Sequence, residues 1–125
     1  MNVQFGGEIS SGVAAGVDGS ATSTGQSEVA IRGKVIAVHL AFDDSPPANT
    51  EVLVKTSGDN VPEITLVDFT DVLTDGWYFV RAPAVDTQNG AITNSHVPIP
   101  IYDKIKVTID KANAGDSVTV NLMME

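Results

Sequence analysis

The sequence predicts an all-β protein, an antiparallel β-sandwich of jelly-roll or immunoglobulin-like type with an extended N-terminal arm. Two patterns carry that expectation. Short runs rich in Val, Ile and Phe alternate with period 2, and turns rich in Gly, Pro, Asn and Asp separate them without any amphipathic stretch of helical period between. A third observation sets the scale: 125 residues, 42% hydrophobic and 18% charged, fit one folded domain and not a disordered chain. The composition divides the chain into an arm over residues 1–28 and a sandwich domain over residues 29–125.

The arm opens on Val3 and Phe5 and continues over residues 6–26 as GGEISSGVAAGVDGSATSTGQ. Its small side chains bring little transfer free energy to offset an ordering cost of about 1–2 kcal/mol per residue. Order in it therefore requires contacts from outside, from its own domain's face or from a partner chain. Val3, Phe5 and Ile9 are the candidate partner-binding anchors, with Val13 and Val17 as lesser ones. The GxxxG spacing of Gly12 and Gly16 lacks the long apolar stretch that would give it meaning in a membrane.

Strand chemistry starts near Val29. Residues 34–42, KVIAVHLAF, place Ile36, Val38, Leu40 and Phe42 on one face and Val35, Ala37, His39 and Ala41 on the other, both largely apolar, as in a central strand. The loop DDSPPAN over 43–49 follows, because Pro46 and Pro47 remove ladder donors. Strands are expected over 51–56, 63–69 and 77–82, with turns at 57–60 and at Asp75-Gly76. A further Asn-Gly turn falls in DTQNG, 86–90, and the prolines of VPIPI, 97–101, mark an edge strand or a connector. Two strands close the domain. Ile105, Val107 and Ile109 alternate with polar residues, as do Val118, Val120, Leu122 and Met124.

Charge and composition exclude several functions. Seven Lys and Arg against 16 Asp and Glu give a net charge of −9, so no clustered basic surface is expected to hold nucleic acid. There is no cysteine for a disulfide, a thiolate metal site or a thiol nucleophile. Neither a signal peptide nor a membrane-spanning run is expected.

The candidate chemistry is sparse. His39 and His96 are the only histidines, set apart on a strand and in the loop NSHVP, so no nucleophile, base and orienter assemble and no enzymatic activity is expected. No cofactor and no catalytic or metal site is predicted. The eight acids between Asp43 and Asp75 raise calcium as a question, but they lie on several turns and lack an EF-hand spacing. Paired acids for a glycosidase and a phosphate-binding glycine loop are not apparent. Trp77, Tyr78 and Phe79 form the one aromatic cluster. Alternation sends Trp77 and Phe79 to one face and Tyr78 to the other, with the pair expected in the core and the tyrosine at the surface.

The layout, a small-residue arm over 6–26 before a cysteine-free sandwich that closes with YDKIKVTIDKANAGDSVTVNLMME over 102–125, resembles small virion proteins of tailed phages, capsid decoration or cement proteins in particular. The resemblance implies a non-enzymatic structural protein on the virion surface. Its partners would be the major capsid protein and copies of itself, a homo-oligomer with a trimer favoured, and neither nucleic acid nor membrane. The competing readings are a carbohydrate- or receptor-binding sandwich of a tail or adhesin, which exposed aromatics around a cleft would favour, and a glycosidase, which convergent acids would favour.

Overall fold

The computed structural model describes residues 4–71, 74–85, 88 and 91–125. In chain order its strands are β1 (Gln4–Ser10), β2 (Ala21–Gln26), β3 (Ile31–Phe42), β4 (Glu51–Thr56), β5 (Thr65–Phe69), β6 (Gly76–Phe79), β7 (Ala82–Val85), β8 (Ala91–Val97), β9 (Ile99–Asp103), β10 (Ile105–Ala112) and β11 (Val118–Met124). One sheet runs β1-β11-β3-β6, with β9 also on β3, and the other runs β2-β10-β4-β5; β7 and β8 form a separate hairpin. All these pairings are antiparallel.

The pairing is nested. β1 pairs with β11, β2 with β10, β3 with β6 and β9, and β4 with β5. First with last and second with next-to-last is the order of a ribbon rolled on itself, which selects the jelly roll over the immunoglobulin sandwich. The core between the sheets is almost wholly aliphatic. Val38, Leu40, Val120 and Leu122 from one sheet meet Val52, Val54, Val107 and Ile109 from the other, all fully buried.

Residues 4–26 are not an arm apart from the sandwich. They supply an edge strand to each sheet, and Ile9, Ala14 and Ala21 belong to the core. The adjacent strands β11 and β10 provide the main-chain partners that the small side chains could not replace. Small size is used directly at Gly25, where a methyl group would fall on the Ser10 carbonyl oxygen; only glycine lets the edges of the two sheets come this close. Gly7, at φ 81°, sits in a bulge of β1 against β11.

Two other expectations change. The even face alternation expected for 34–42 breaks at Ile36: Met123 opposes Ala37 and Met124 opposes Val35, so Ile36 is bulged and Val35 turns inward, fully buried. The 77–82 strand divides into β6 and β7, while the Pro-containing stretch forms the end of β8 and then β9 on the edge of β3. The Asn-Gly turn at 89–90 lies outside the described residues.

Candidate functional site

The register fixes which side chains share the outer face of the β1-β11-β3 sheet. One row reads Glu8, Asn121, His39, Trp77; the next aligns Met123, Ala37 and Phe79; toward the other end Arg32 stands beside Tyr102. Trp77 is 40% exposed, Phe79 67% and Tyr102 47%, so three of the seven aromatic residues lie open to solvent on one face. The core expectation for Trp77 and Phe79 is thereby reversed. Val38 points inward and Tyr78 stands opposite it, so Tyr78 follows it inward, its ring 4.7 Å from that of Phe69. Its hydroxyl donates to the Thr74 carbonyl at 2.7 Å, which satisfies the polar end of a half-buried ring.

Two of the three exposed rings, Trp77 and Tyr102, are held by a neighbouring side chain. The His39 ring lies 4.9 Å from Trp77 at 60°, a tilted pair that orients the indole. Ala37 faces outward between Met123 and Phe79 and is fully buried, covered by its neighbours. Past Trp77 the face runs into an open cleft of about 490 Å³ lined by Phe42, Asp44, Ser45, Thr74 and Asp75. From that end to Tyr102 the platform follows β3 for roughly 20 Å at the usual strand rise. Arg32, with its guanidinium 4.7 Å over the Tyr102 ring, closes the far end.

Chemically this face can stack flat apolar surfaces and exchange hydrogen bonds at their edges. Convergent catalytic groups are not assembled on it: His39 is paired with an indole, and His96 lies on β8 with its side chain outside the described residues. Among the described residues no group of three or more His, Asp or Glu is placed to hold a metal ion. Several acids instead accept main-chain hydrogen bonds at turns. Asp75 accepts from Phe42 N at 3.0 Å, Asp43 from Ser117 N at 2.9 Å and Asp116 from Asn113 N at 3.0 Å.

Asp103 is the most heavily used acid. Its fully buried carboxylate accepts from Ser57 Oγ at 2.8 Å, from Asn60 N at 3.1 Å and from Val61 N at 3.3 Å. Burial pushes its pKa up, but the Ser57 hydroxyl and the main-chain donors outweigh that and hold the carboxyl below the ordinary 3.8. This tie fastens β9 of one sheet to the loop joining β4 and β5 of the other.

Of the anchors expected in the arm, Ile9 is only 3% exposed and packs in the protein's own core, so it is not free to grip a partner. Val3 and the Phe5 side chain lie outside the described residues. Val13 and Val17 stand exposed on the segment joining β1 to β2. The residues that the sequence reading missed are Arg32, Tyr102 and Asn121. Their signal was strand register, which no short motif encodes.

Fold and face together define a jelly-roll sandwich with an aromatic outer surface. No family model matches the chain, and no curated protein matches it. Similar solved structures include a carbohydrate binding module of family 29, at 12% identity over 95% of this chain and 68% of that one, with a TM-score of 0.42. The family 32 module of NanJ from C. perfringens, solved with galactose, is 10% identical over 97% and 93% of the two chains, with a TM-score of 0.44. A serine protease of Aeromonas sobria is 7% identical over the whole of this chain and 28% of that one, at a TM-score of 0.49. These likenesses concern the β-sandwich alone.

Proposed function

We propose that this protein is a non-enzymatic carbohydrate-binding module whose ligand lies along the outer face of the β1-β11-β3 sheet. The observation that carries the reading is the exposure of Trp77 and Phe79 at alternate positions of one edge strand, beside a polar cleft. Sugar rings present flat C–H faces that stack on aromatic side chains while their hydroxyls seek acceptors at the rim. Here Asp44, Asp75 and Asn121 supply acceptors next to the rings. The test is isothermal titration with oligosaccharides chosen from a glycan array. Trp77→Ala and Phe79→Ala should each weaken binding about tenfold, about 1.4 kcal/mol of lost stacking, without lowering Tm. Full affinity in both variants overturns the reading.

The capsid-decoration reading keeps one supporting observation, the exposed Val13 and Val17 on the β1–β2 connection. In that reading they would touch the major capsid protein at the virion surface, or a neighbouring copy in a trimer. Val13→Ser with Val17→Ser should then abolish particle binding while Trp77→Ala leaves it intact.

A further inference from the structure

The protein has seven Lys and Arg. Lys55 and Lys111 are engaged in ion pairs with Glu63 and Glu51, at 3.3 and 2.9 Å, on the side of the β2-β10-β4-β5 sheet. Of the other five, three are exposed at the far end of the aromatic face: Arg32 and Lys34 at alternate positions of β3, and Arg81 two residues beyond Phe79. None of these three is in an ion pair among the described residues. Glu125, across from Lys34, exchanges main-chain hydrogen bonds with it at 2.8 and 3.4 Å, and among the described residues its side chain makes no ion pair. At the opposite end, beyond Trp77, the cleft carries Asp44 and Asp75. The face is therefore polarised along its length, basic near Tyr102 and acidic near Trp77.

Building on the carbohydrate-binding reading, we propose that the ligand is an oligosaccharide bearing a carboxylate or sulfate on the residue at the Tyr102 end, with neutral sugars over Phe79 and Trp77. In a chain of net charge −9, a patch of cations without an ion pair among the described residues selects an anion locally while the rest of the surface repels one. Arg32 lies exposed with its guanidinium over the Tyr102 ring, a cation held in place whose planar fork suits the two oxygens of a carboxylate or sulfate. Lys34 lies about 7 Å further along β3, within reach of the same group or the next ring. Asp44 and Asp75 disfavour a second anion at the Trp77 end, so a chain charged on every residue fits less well than one charged at a single end.

The experiment is a printed array of oligosaccharides in matched pairs, each neutral chain beside the same chain ending in a uronic acid, a sialic acid or a sulfate. Double-stranded DNA and a uniformly charged polyuronate serve as controls. The acid-ended member should bind better, and its advantage should shrink as salt is raised. Arg32→Gln and Lys34→Gln should each lower its affinity about two- to fivefold, as for exposed ion pairs, and so narrow its advantage over the neutral partner. Equal binding within pairs overturns the proposal and leaves the carbohydrate reading standing. Binding to no glycan overturns both. Preference for DNA or for the polyuronate over every end-charged chain also overturns the proposal, because it reports charge without position.

Discussion

The two sheets bury nearly identical inner faces and expose opposite outer ones. Inside, both present aliphatic side chains at alternate positions, Val38 and Leu40 on one and Val52 and Val54 on the other. Outside, the β2-β10-β4-β5 sheet shows Thr24 hydrogen-bonded to Thr108 at 2.9 Å, Lys55 beside Lys106, and Glu51 opposite Asp110. The β1-β11-β3 sheet shows Met123, Trp77, Phe79 and Tyr102 instead. A mostly polar outer face is the common arrangement where an antiparallel sheet faces water. Among the described residues the exposed rings lie on only one sheet, and the proposed binding face rests on that difference.

Because the difference between the faces presupposes an intact two-sheet body, the largest expected effect is loss of that body. Deleting residues 1–26 removes an edge strand from each sheet along with Ile9, Ala14 and Ala21. The truncated chain should fail to give a cooperative thermal transition by circular dichroism. A folded truncation with unchanged Tm would show that β1 and β2 are dispensable and restore the reading of this segment as an arm.

Next come substitutions that separate inner from outer positions within a single strand. Leu40→Ala removes a fully buried side chain between the sheets and should cost about 2–5 kcal/mol in denaturant unfolding. His39→Ala, one residue away on the outer face, should cost well under half of that and show its effect in glycan affinity, through the orientation of Trp77. Equal destabilisation by the two would mean that His39 is part of the core and the rings are structural.

How much of this was legible in the sequence depends on side-chain size. β4, β10 and β11 could be read directly because β-branched residues alternate with polar ones along them. β1 and β2 could not. Ile9 apart, the positions they turn toward the core are filled by small residues such as Gly6, Ala21, Ser23 and Gly25, which carry almost no hydrophobic signal, and their order comes from ladder hydrogen bonds to β11 and β10. Trp77 and Phe79 were correctly placed on a common face, but which face depended on pairing with β3, and so on a register and a bulge at Ile36 that composition does not display. Arg32 and Tyr102 are 70 residues apart in sequence and meet only because β9 shares the edge of β3 with β6.

Asp103 offers a way to test how the two sheets are tied. Its carboxyl is held below 3.8 by the Ser57 hydroxyl and main-chain donors, against the opposing effect of burial. A depressed folded-state value means that the ionised group stabilises the protein above the unfolded pKa, and that this contribution disappears as pH falls through the folded value. Thermal melts should therefore drop in Tm below about pH 4. Asp103→Asn should start lower at pH 7 and show a shallower acid-side fall, since it has no proton to take up. Parallel pH profiles for the two proteins would mean that other carboxyls govern acid unfolding.

The smallest effect belongs to the outer face of the polar sheet. Lys55 stands directly across from Lys106 and pairs with Glu63 at 3.3 Å, with both members of the pair partly exposed. Lys55→Gln thus removes an attraction and a like-charge repulsion together. Two opposing contributions, each screened by water, should leave a stability change below about 1 kcal/mol, shrinking further as salt is raised. Glycan affinity should not move at all, because Lys55 lies on the opposite side of the core from Trp77. If this substitution weakens binding as much as Phe79→Ala does, the ligand is not confined to the aromatic face, and the distinction between the two faces fails where it was expected to be sharpest.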